Sequence, residues 1–211
     1  SNPGTNLLNA SFVDVTNGPQ IVYWQITKIN YTTRSGSAIM NITQAQNSWL
    51  QEPNILGWSY GNVGNTPVGT STFGEVEFTY AVKGTTEFVT ALPKDAGDYT
   101  LRGQVQATSN YEGLVFETDF TIAQREVVIV WGETNFVYDN TPKLPTATAT
   151  NLIQGDVCEV IVLGEQTEVS ESPYIAEAVG LSNPNYKLPQ TNTTVEFKIY
   201  YRQITGITVE G

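Results

Sequence analysis

The sequence predicts an all-β protein built from tandem modules, and three observations support this. Apolar and polar residues alternate strictly over the stretch that follows Tyr99, as in a strand with one buried face. The same pattern returns, with Asn-Tyr pairs ending at Tyr31, Tyr111 and Tyr186, so that the spacing is 80 and then 75 residues. Nowhere does a stretch of about twelve residues show helical periodicity.

The stretch from Asp95 to Ile122 organises the chain. Asp95, Gly97 and Tyr99 predict a tight turn before a strand, and the Tyr99 hydroxyl can bond back to nearby backbone, as in the tyrosine corner of immunoglobulin-like sandwiches. The alternative is that Tyr99 is one more buried aromatic residue. A second alternating strand is predicted over residues 115–122.

The fold predicted for each module is therefore an immunoglobulin-like β-sandwich. A β-grasp-like module is the alternative, because Gln154-Gly155-Asp156 could close a single helical turn. Eight residues carry the repeated pattern and are predicted to be structural: Asp95, Gly97, Tyr99, Asn110, Tyr111, Tyr174, Asn185 and Tyr186.

The repeat divides the chain into four parts. Residues 1–46 form a partial N-terminal module, residues 47–124 a first full repeat and residues 125–200 a second full repeat. Residues 201–211 are predicted to open a further module or to form a C-terminal tail. The connection at Ala123-Gln124-Arg125 is short, which predicts a stiff pair of repeats.

Short strands are predicted throughout. In the partial module they cover residues 6–10 or 12–15, 21–26 and 38–42, and in the first repeat they cover residues 55–59, 75–80 and 88–89. The second repeat opens with the continuous apolar run 127–131, which predicts a strand buried on both faces or paired centrally.

The partial module has too few strands to bury both of its faces. We expect a monomer in which these strands pack on residues 47–123, with Trp49 at the junction. The alternative is exchange with residues 201–211 of a neighbouring molecule.

The chain resembles the MBG and YDG repeats of large secreted or wall-attached proteins of Gram-positive bacteria. The matching motifs are Tyr138-Asp139-Asn140-Thr141-Pro142-Lys143, Gln154-Gly155-Asp156, Ala96-Gly97-Asp98-Tyr99-Thr100, the two Asn-Tyr pairs at 110–111 and 185–186, and Phe120-Thr121-Ile122. It departs from the pattern where Asn140 replaces glycine and where Pro173-Tyr174 lacks a preceding Ala-Gly. The resemblance implies a spacer or adhesive segment at the cell surface, attached to the wall through regions outside this sequence.

Composition excludes several partners. The net charge is −11 and charged residues make up only 15% of the chain, so that no basic patch is available for nucleic acid or an anionic membrane. No signal peptide or apolar run long enough to span a membrane is present, and we expect no direct membrane insertion. The expected partner is an unidentified extracellular protein or glycan.

The residue inventory also argues against an enzyme. There is no histidine and only one cysteine, which leaves no intrachain disulfide and no conventional zinc site. Cys158 alternates as a core residue would, and acid pairs such as Glu117 and Asp119 lie two apart on one strand face, as solvated residues do. We expect no cofactor and no metal. Lys198 and Asn185 are the only candidates for an isopeptide bond, and we expect none.

Aromatic residues are the best sequence clue to a ligand, because sugar rings stack on exposed indole and phenol rings. The candidate ligand-binding residues are Trp24, Trp49 and Tyr201. Trp58 and Trp131 are expected at similar core places in the two repeats. A carbohydrate-binding module is therefore the alternative function to a spacer.

Overall fold

The computed structural model describes residues 14–15 and 18–203, and within these residues the all-β prediction is confirmed. They form strands joined by turns and loops and contain no helix. The strands are β1 (Gln20–Ile26), β2 (Arg34–Met40), β3 (Trp49–Asn54), β4 (Trp58–Ser59), β5 (Val68–Ser71), β6 (Glu77–Val82), β7 (Gly97–Val105), β8 (Leu114–Ala123), β9 (Arg125–Glu126), β10 (Val128–Trp131), β11 (Asn135–Val137), β12 (Ala147–Thr150), β13 (Val160–Leu163), β14 (Tyr174–Leu181), β15 (Tyr186–Lys187) and β16 (Thr194–Tyr200).

The two full repeats share one strand topology. The first contains a four-stranded sheet in the order β4-β8-β7-β6, and the second contains β11-β16-β14-β13, which is the same order. In each sheet a short strand pairs parallel with the last strand of the repeat, through Trp58 opposite Ile122 and Phe136 opposite Ile199. Each repeat adds a two-stranded antiparallel sheet, β3-β5 or β10-β12. The internal repeat of the sequence is thus a repeat of topology.

The alternation predicted around the organising stretch is confirmed. On β7, Leu101 and Val105 are 0% and 2% exposed and Gly103 between them is also buried, whereas Arg102 and Gln104 are partly exposed. On β8, Phe120 and Ile122 are buried and the residues between them are exposed. Because side chains alternate along a strand, one apolar face of each strand supplies the core.

The second repeat has two groups of buried side chains. One contains Val127, Ile129, Ala149, Cys158, Ala178 and Tyr186. The other contains Ala176, Phe197 and Ile199. Cys158 is only 8% exposed, which confirms the prediction that it is a core residue.

The chain divides into two compact units whose boundary runs through the first repeat. One unit combines residues up to Asn54 with Pro67–Thr79 and Leu101–Thr118. The other combines Ile55–Thr66, Tyr80–Thr100 and the residues from Asp119 onward. Strands β6, β7 and β8 each contribute to both units. The repeat boundaries at residues 46, 124 and 200 stay a prediction.

The strand predicted over residues 127–131 needs a correction. Val127 and Ile129 are buried, but Val128 and Val130 are 52% and 53% exposed, so the strand is buried on one face rather than both. It is not central either, because β10 belongs to a two-stranded sheet with β12. An apolar run alone does not distinguish a doubly buried strand from a half-buried one.

The expectation that the N-terminal strands pack on residues 47–123 is wrong for the described residues. β1 and β2 form an antiparallel hairpin, yet Ile21, Tyr23 and Ile39 are 54%, 69% and 75% exposed. The hairpin corresponds to β7 and β8 of a full repeat, but among the described residues it lacks counterparts of β3 to β6, which complete a full repeat. The strands predicted at residues 6–10 or 12–15, and most of the segment 201–211, lie outside the described residues.

Residues 154–156 form a turn and not a helical turn. The Asp156 N–H donates to the Ile153 carbonyl at 3.0 Å, and Gly155 has a φ of 96°. Glycine reaches this left-handed region without steric cost, which is why the chain can reverse here.

Gly103 of β7 allows a close approach of Pro53, and its replacement tests this packing. A Cβ at Gly103 would overlap the Cγ and Cβ atoms of the Pro53 ring, which cannot rotate away. We expect Gly103→Ala to lower the free energy of unfolding by about 1 to 3 kcal/mol in a denaturant titration. Gly180 of β14 is the control, because a Cβ there would make an ordinary 3.4 Å contact with Ile161. Equal effects of Gly103→Ala and Gly180→Ala would contradict this account.

Candidate functional site

Each repeat ties a tyrosine at or near the start of β7 or β14 back to the main chain. The Tyr99 hydroxyl donates to the Asp95 carbonyl at 3.0 Å. In the second repeat the Tyr174 hydroxyl donates to the Glu168 carbonyl, also at 3.0 Å. The hydrogen bond that defines a tyrosine corner is therefore present at both positions, with a longer loop in the second repeat.

Asn185 holds the turn that precedes Tyr99. Its Oδ1 accepts the Ala96 N–H at 2.7 Å, and its Nδ2 donates to the Asp95 carboxylate at 2.9 Å. One amide side chain thus satisfies a backbone donor and a charged acceptor at the same time. Asn185 belongs to the second repeat and the turn belongs to the first, so this pair of bonds joins the two repeats within one compact unit.

Asn110 repeats this geometry one module earlier. Its Oδ1 accepts the Val15 N–H at 3.0 Å, and its Nδ2 donates to the Asp14 carboxylate at 2.8 Å. Here the turn belongs to the partial N-terminal module and the asparagine to the first repeat. We call this arrangement, an asparagine amide bound to an Asp-x dipeptide of the preceding module, the asparagine clamp.

The main chain beside each clamp is also paired in the same way. The Ala45 N–H donates to the Asn110 carbonyl at 2.8 Å, and the Arg125 N–H donates to the Asn185 carbonyl at 2.9 Å. Both contacts are parallel, with Ala45 opposite Tyr111 and Arg125 opposite Tyr186. The segment that enters each repeat is therefore fastened to its Asn-Tyr pair.

A tyrosine–aspartate–tyrosine network completes the junction at Asn185. The hydroxyls of Tyr60 and Tyr186 both donate to Oδ2 of Asp156, at 2.8 and 2.6 Å. The Tyr186 hydroxyl also accepts the Ile153 N–H at 2.8 Å, and the two rings meet edge to face with centroids 5.5 Å apart. The Ile153 N–H, the Tyr186 hydroxyl and the Asp156 carboxylate form a chain in which one hydrogen bond polarises the next, and bonds to a charged acceptor are stronger than neutral ones.

The network changes the acidity of both tyrosines. The hydrogen bond to Asp156 raises the pKa of Tyr60 above its ordinary value, with burial adding to the effect. For Tyr186, burial is the larger cause that raises the pKa, followed by the bond to Asp156. In both cases the carboxylate and the apolar surroundings disfavour a second negative charge.

Gly61 leaves space at this junction for the Ile153 side chain of the second repeat. A Cβ at Gly61 would overlap Cδ1 and Cγ1 of Ile153, and the residue has a φ of 81°. Both the space and the left-handed backbone favour glycine at this position. In the second repeat the residue after the corresponding tyrosine, Tyr138, is Asp139, whose carboxylate bonds to Lys143 at 2.6 Å.

A cavity of about 350 Å³ lies beside the network in the same compact unit. Its wall is formed by aromatic and aliphatic side chains with one cation and one amide, namely Trp58, Tyr60, Leu92, Ile153, Lys94 and Asn62. The volume lies at the small end of the range for sites that take small molecules.

None of the three candidate ligand-binding aromatics is a member of this network. Trp24 is 45% exposed on the β1 hairpin and Tyr201 is 76% exposed. Trp49 is half-buried, with its ring 6.5 Å from that of Phe116 in an edge-to-face contact. Both rings belong to the first repeat, so the prediction that Trp49 lies at the junction between modules stays a prediction.

The expectation that Trp58 and Trp131 occupy similar places is wrong. Trp58 lies on β4, opposite Ile122, where the second repeat has Phe136 on β11. Trp131 lies on β10, opposite Ala147, and its Nε1–H donates to the Asn192 carbonyl at 3.1 Å.

The acid pair on β8 is engaged in ion pairs on the strand's exposed face. Glu117 lies 2.6 Å from Arg102, and Asp119 lies 2.8 Å from Lys83 and accepts the Thr100 hydroxyl. The described residues contain no group of three or more acidic or thiol side chains placed to hold a metal ion. No helix in the described part of the chain has the length and hydrophobicity needed to cross a membrane.

Lys198 and Asn185 are not brought together by the strand pairing. Lys198 lies in β16 opposite Asn135, whereas the Asn185 amide is bound to Asp95 and Ala96. Both polar atoms of that amide already have hydrogen-bond partners.

Sequence reasoning identified most of the junction but missed the role of two residues. In the sequence, Tyr60 stands in a Tyr60-Gly61 pair that corresponds to Tyr138-Asp139, and Asp156 closes the Gln154-Gly155-Asp156 motif. They meet in space although 96 positions separate them. No spacing rule links the Tyr-Gly of the first repeat to the Gly-Asp of the second, so the sequence carried no signal for this contact.

Comparison of the chain with protein-family models, curated proteins and solved structures found no match.

The raised pKa values predict a loss of stability in alkali. A tyrosine whose pKa is higher in the folded state stabilises the protein below its unfolded pKa of about 10, and this contribution is lost as the pH rises through the folded value. We therefore expect the free energy of unfolding to fall above about pH 10. In Asp156→Asn we expect two tyrosines to ionise at lower pH in an ultraviolet titration. Asp119→Asn, which removes a carboxylate from the exposed face of β8, is the control; a curve equally changed in both variants would contradict the assignment.

Proposed function

We propose that this chain is a non-catalytic tandem-repeat segment that acts as a spacer or adhesive stalk with stiffened joints. The observation that carries the proposal is the asparagine clamp, which occurs at both junctions with the same atoms, donors and acceptors. A spacer needs repeats that resist bending at each joint, and specific bonds between repeats supply that resistance.

Each repeat is proposed to be an immunoglobulin-like β-sandwich. The tyrosine corners, the four-stranded sheet and the separate two-stranded sheet support this assignment. The β-grasp alternative has less support, because the described residues contain a turn and no helix at positions 154–156.

The proposed setting is the surface of a Gram-positive bacterium. The support is the resemblance to MBG and YDG repeats, together with a net charge of −11 and a polar surface rich in serine and threonine. The proposed absence of catalysis is supported by the lack of histidine and by the ion pairs that occupy Glu117 and Asp119.

Loss of the clamp should loosen the joint between the two full repeats. We expect Asn185→Ala to lower the free energy of unfolding by about 1 to 3 kcal/mol, because Asp95 and the Ala96 N–H lose their partners. We also expect residual dipolar couplings from residues 135–200 and from residues 80–100 of the first repeat, which lie in one compact unit, to fit one alignment tensor in the parent protein and two tensors in the variant.

Asn65→Ala is the matched control for this experiment. Asn65 also makes two hydrogen bonds through its amide, to the carbonyls of Leu56 and Gly57, but both stay within the first repeat. Its loss should lower stability and leave a single tensor. Two tensors in the parent protein itself would refute a stiff joint.

A carbohydrate-binding module is the second candidate function. It is favoured by the exposure of Trp24 and Tyr201 and by the cavity that Trp58, Asn62 and Lys94 help to line. Under the spacer proposal we expect the protein to retain no sugar on a glycan array. Specific retention that Trp49→Ala or Trp24→Ala abolishes would replace the spacer proposal with this one.

A further inference from the structure

The two repeats expose different chemistry on the same face of the same strand. The tyrosine corners align Tyr99 of β7 with Tyr174 of β14, and side chains alternate in direction along each strand. The outward-facing residues after the tyrosines are Thr100, Arg102 and Gln104 in the first repeat and Ile175, Glu177 and Val179 in the second. The first repeat therefore presents a polar face where the second presents a largely apolar one.

Paired charges cover the polar face of the first repeat. Arg102 lies 2.6 Å from Glu117, and Asp119 lies 2.8 Å from Lys83. The side chains of Glu117 and Asp119 stay 44% and 50% exposed, although another repeat follows in the chain. A repeat of this topology thus needs neither apolar residues on this face nor a neighbouring repeat to cover it.

Four exposed apolar side chains form one patch on the corresponding face of the second repeat. Ile161 and Leu163 of β13 and Ile175 and Val179 of β14 are 51%, 57%, 60% and 44% exposed. Antiparallel pairing places Leu163 opposite Glu177, so that it lies between the two outward apolar residues of β14. We call these four side chains the apolar patch. Apolar side chains that cluster on a surface, unlike those scattered singly, indicate an interaction site.

Two carboxylates border the apolar patch. Glu177 lies opposite Leu163, and Glu196 of β16 lies opposite Ile175. In the first repeat Arg102 stands at the place of Glu177 and neutralises a carboxylate. No lysine or arginine in the described part of the chain forms an ion pair with either of the two glutamates. The face is therefore both apolar and anionic.

The charge of this face limits what can cover it. Lys198 also points outward on β16, but it lies opposite Asn135, on the side of the sheet away from β13. A second copy of the chain would bring Glu177 and Glu196 of its own to the same face, and the net charge of −11 opposes this contact and contact with an anionic membrane. A partner with lysine or arginine is attracted instead, because complementary charges favour one partner and penalise like-charged ones.

The edge of β13 is not open to an added strand. The Lys143 N–H donates to the Gln166 carbonyl at 2.7 Å, and the Gln166 N–H donates to the Lys143 carbonyl at 3.0 Å. Thr148 pairs with Glu159 at the other end of β13. Residues 143–148 thus border this strand at both ends. A partner must lie across the face of the sheet, and a helix can do so with its own backbone hydrogen bonds satisfied.

We propose that the apolar patch binds an amphipathic helix of another protein, with lysine or arginine beside its apolar stripe. The stripe covers the four apolar side chains, and the cations bond to Glu177 and Glu196. The patch spans about 14 Å along β14, a distance that a helix covers in about nine residues. The proposal goes beyond the spacer function, which needs no partner on this face.

A nuclear magnetic resonance titration of the whole chain with a synthetic peptide tests the proposal. The peptide is helical, contains only leucine and lysine with one apolar stripe, and is about eighteen residues long. We expect saturable shifts of the amide signals of β13 and β14, with a dissociation constant below about 1 mM at an ionic strength of about 0.15 M. The face of β7 and β8, whose charges are paired, should show none.

Two control peptides separate the apolar stripe from charge. A peptide of the same composition, in an order without a stripe, should bind about tenfold more weakly, and a leucine and glutamate peptide of the original pattern should not bind. Equal shifts on the faces of both repeats, or equal binding of the rearranged peptide, would show attraction by charge alone and overturn the proposal.

The outward residues of the first repeat supply the test variant. Ile175→Thr/Glu177→Arg/Val179→Gln changes three exposed side chains and should raise the dissociation constant about tenfold. Val128→Thr/Val130→Gln, which alters side chains 52% and 53% exposed on β10 of the same repeat, is the control and should leave it unchanged. Glu177→Gln alone tests the charge with a single exposed change and should weaken binding about threefold. Parent affinity in the triple variant would overturn the proposal.

The triple variant also distinguishes other occupants of the apolar patch. A dimer of the parent chain in sedimentation velocity, lost in this variant, would assign the patch to a second copy. Co-sedimentation with vesicles of phosphatidylcholine and phosphatidylglycerol, lost in the same variant, would assign it to a membrane. Either result would overturn the proposal.

This experiment is separable from the test of the spacer function at Asn185. Absence of peptide binding together with one alignment tensor removes only the docking of a helix. Peptide binding together with two tensors in the parent protein refutes the stiff joint and leaves the docking of a helix standing.

Discussion

The structure depends on a primary amide that bonds in two directions. Asparagine carries an acceptor and a donor on one planar group, so it can bind a backbone N–H and a carboxylate that face the same way. At Asn185 and Asn110 it binds the turn of the preceding module, and the adjacent main chain accepts the strand that enters the repeat. An aspartate in this position would repel the carboxylate and offer no donor. One residue of the later module thereby holds the turn of the preceding module and the strand that enters its own repeat.

This interaction accounts for how the chain divides. Sequence divides it at the connection near Arg125, whereas the compact units divide it through the first repeat. The second unit contains both the turn at Asp95 and the clamp at Asn185, and the first contains both Asp14 and Asn110. The bonds at each junction are therefore part of the packing of a unit. The modules defined by sequence and the units defined by contacts differ because the asparagine of one module is bonded to the turn of the preceding module.

At the second junction, further side chains pack and bond beside the asparagine clamp. Tyr60, Asp156 and Tyr186 share one carboxylate oxygen, and Gly61 leaves space for Ile153. The second repeat places Asp139, bonded to Lys143, at the position of Gly61. Differences of this kind make one junction distinguishable from another although the clamp is common to them.

The sequence by itself determined the strand content, the repeat and the residues that matter most. Alternation identified the buried faces of β7 and β8, and the repeated Tyr and Asn-Tyr motifs identified Tyr99, Asn110, Asn185 and Tyr186, because these patterns are local. It did not determine which residues meet. The pairing of Tyr60 with Asp156, of Asn185 with Asp95, and the one-sided burial of β10 depend on partners 96, 90 and about 20 positions away. Only the tertiary structure decided these, since periodicity reports which face of a strand is apolar and carries no information on what covers it.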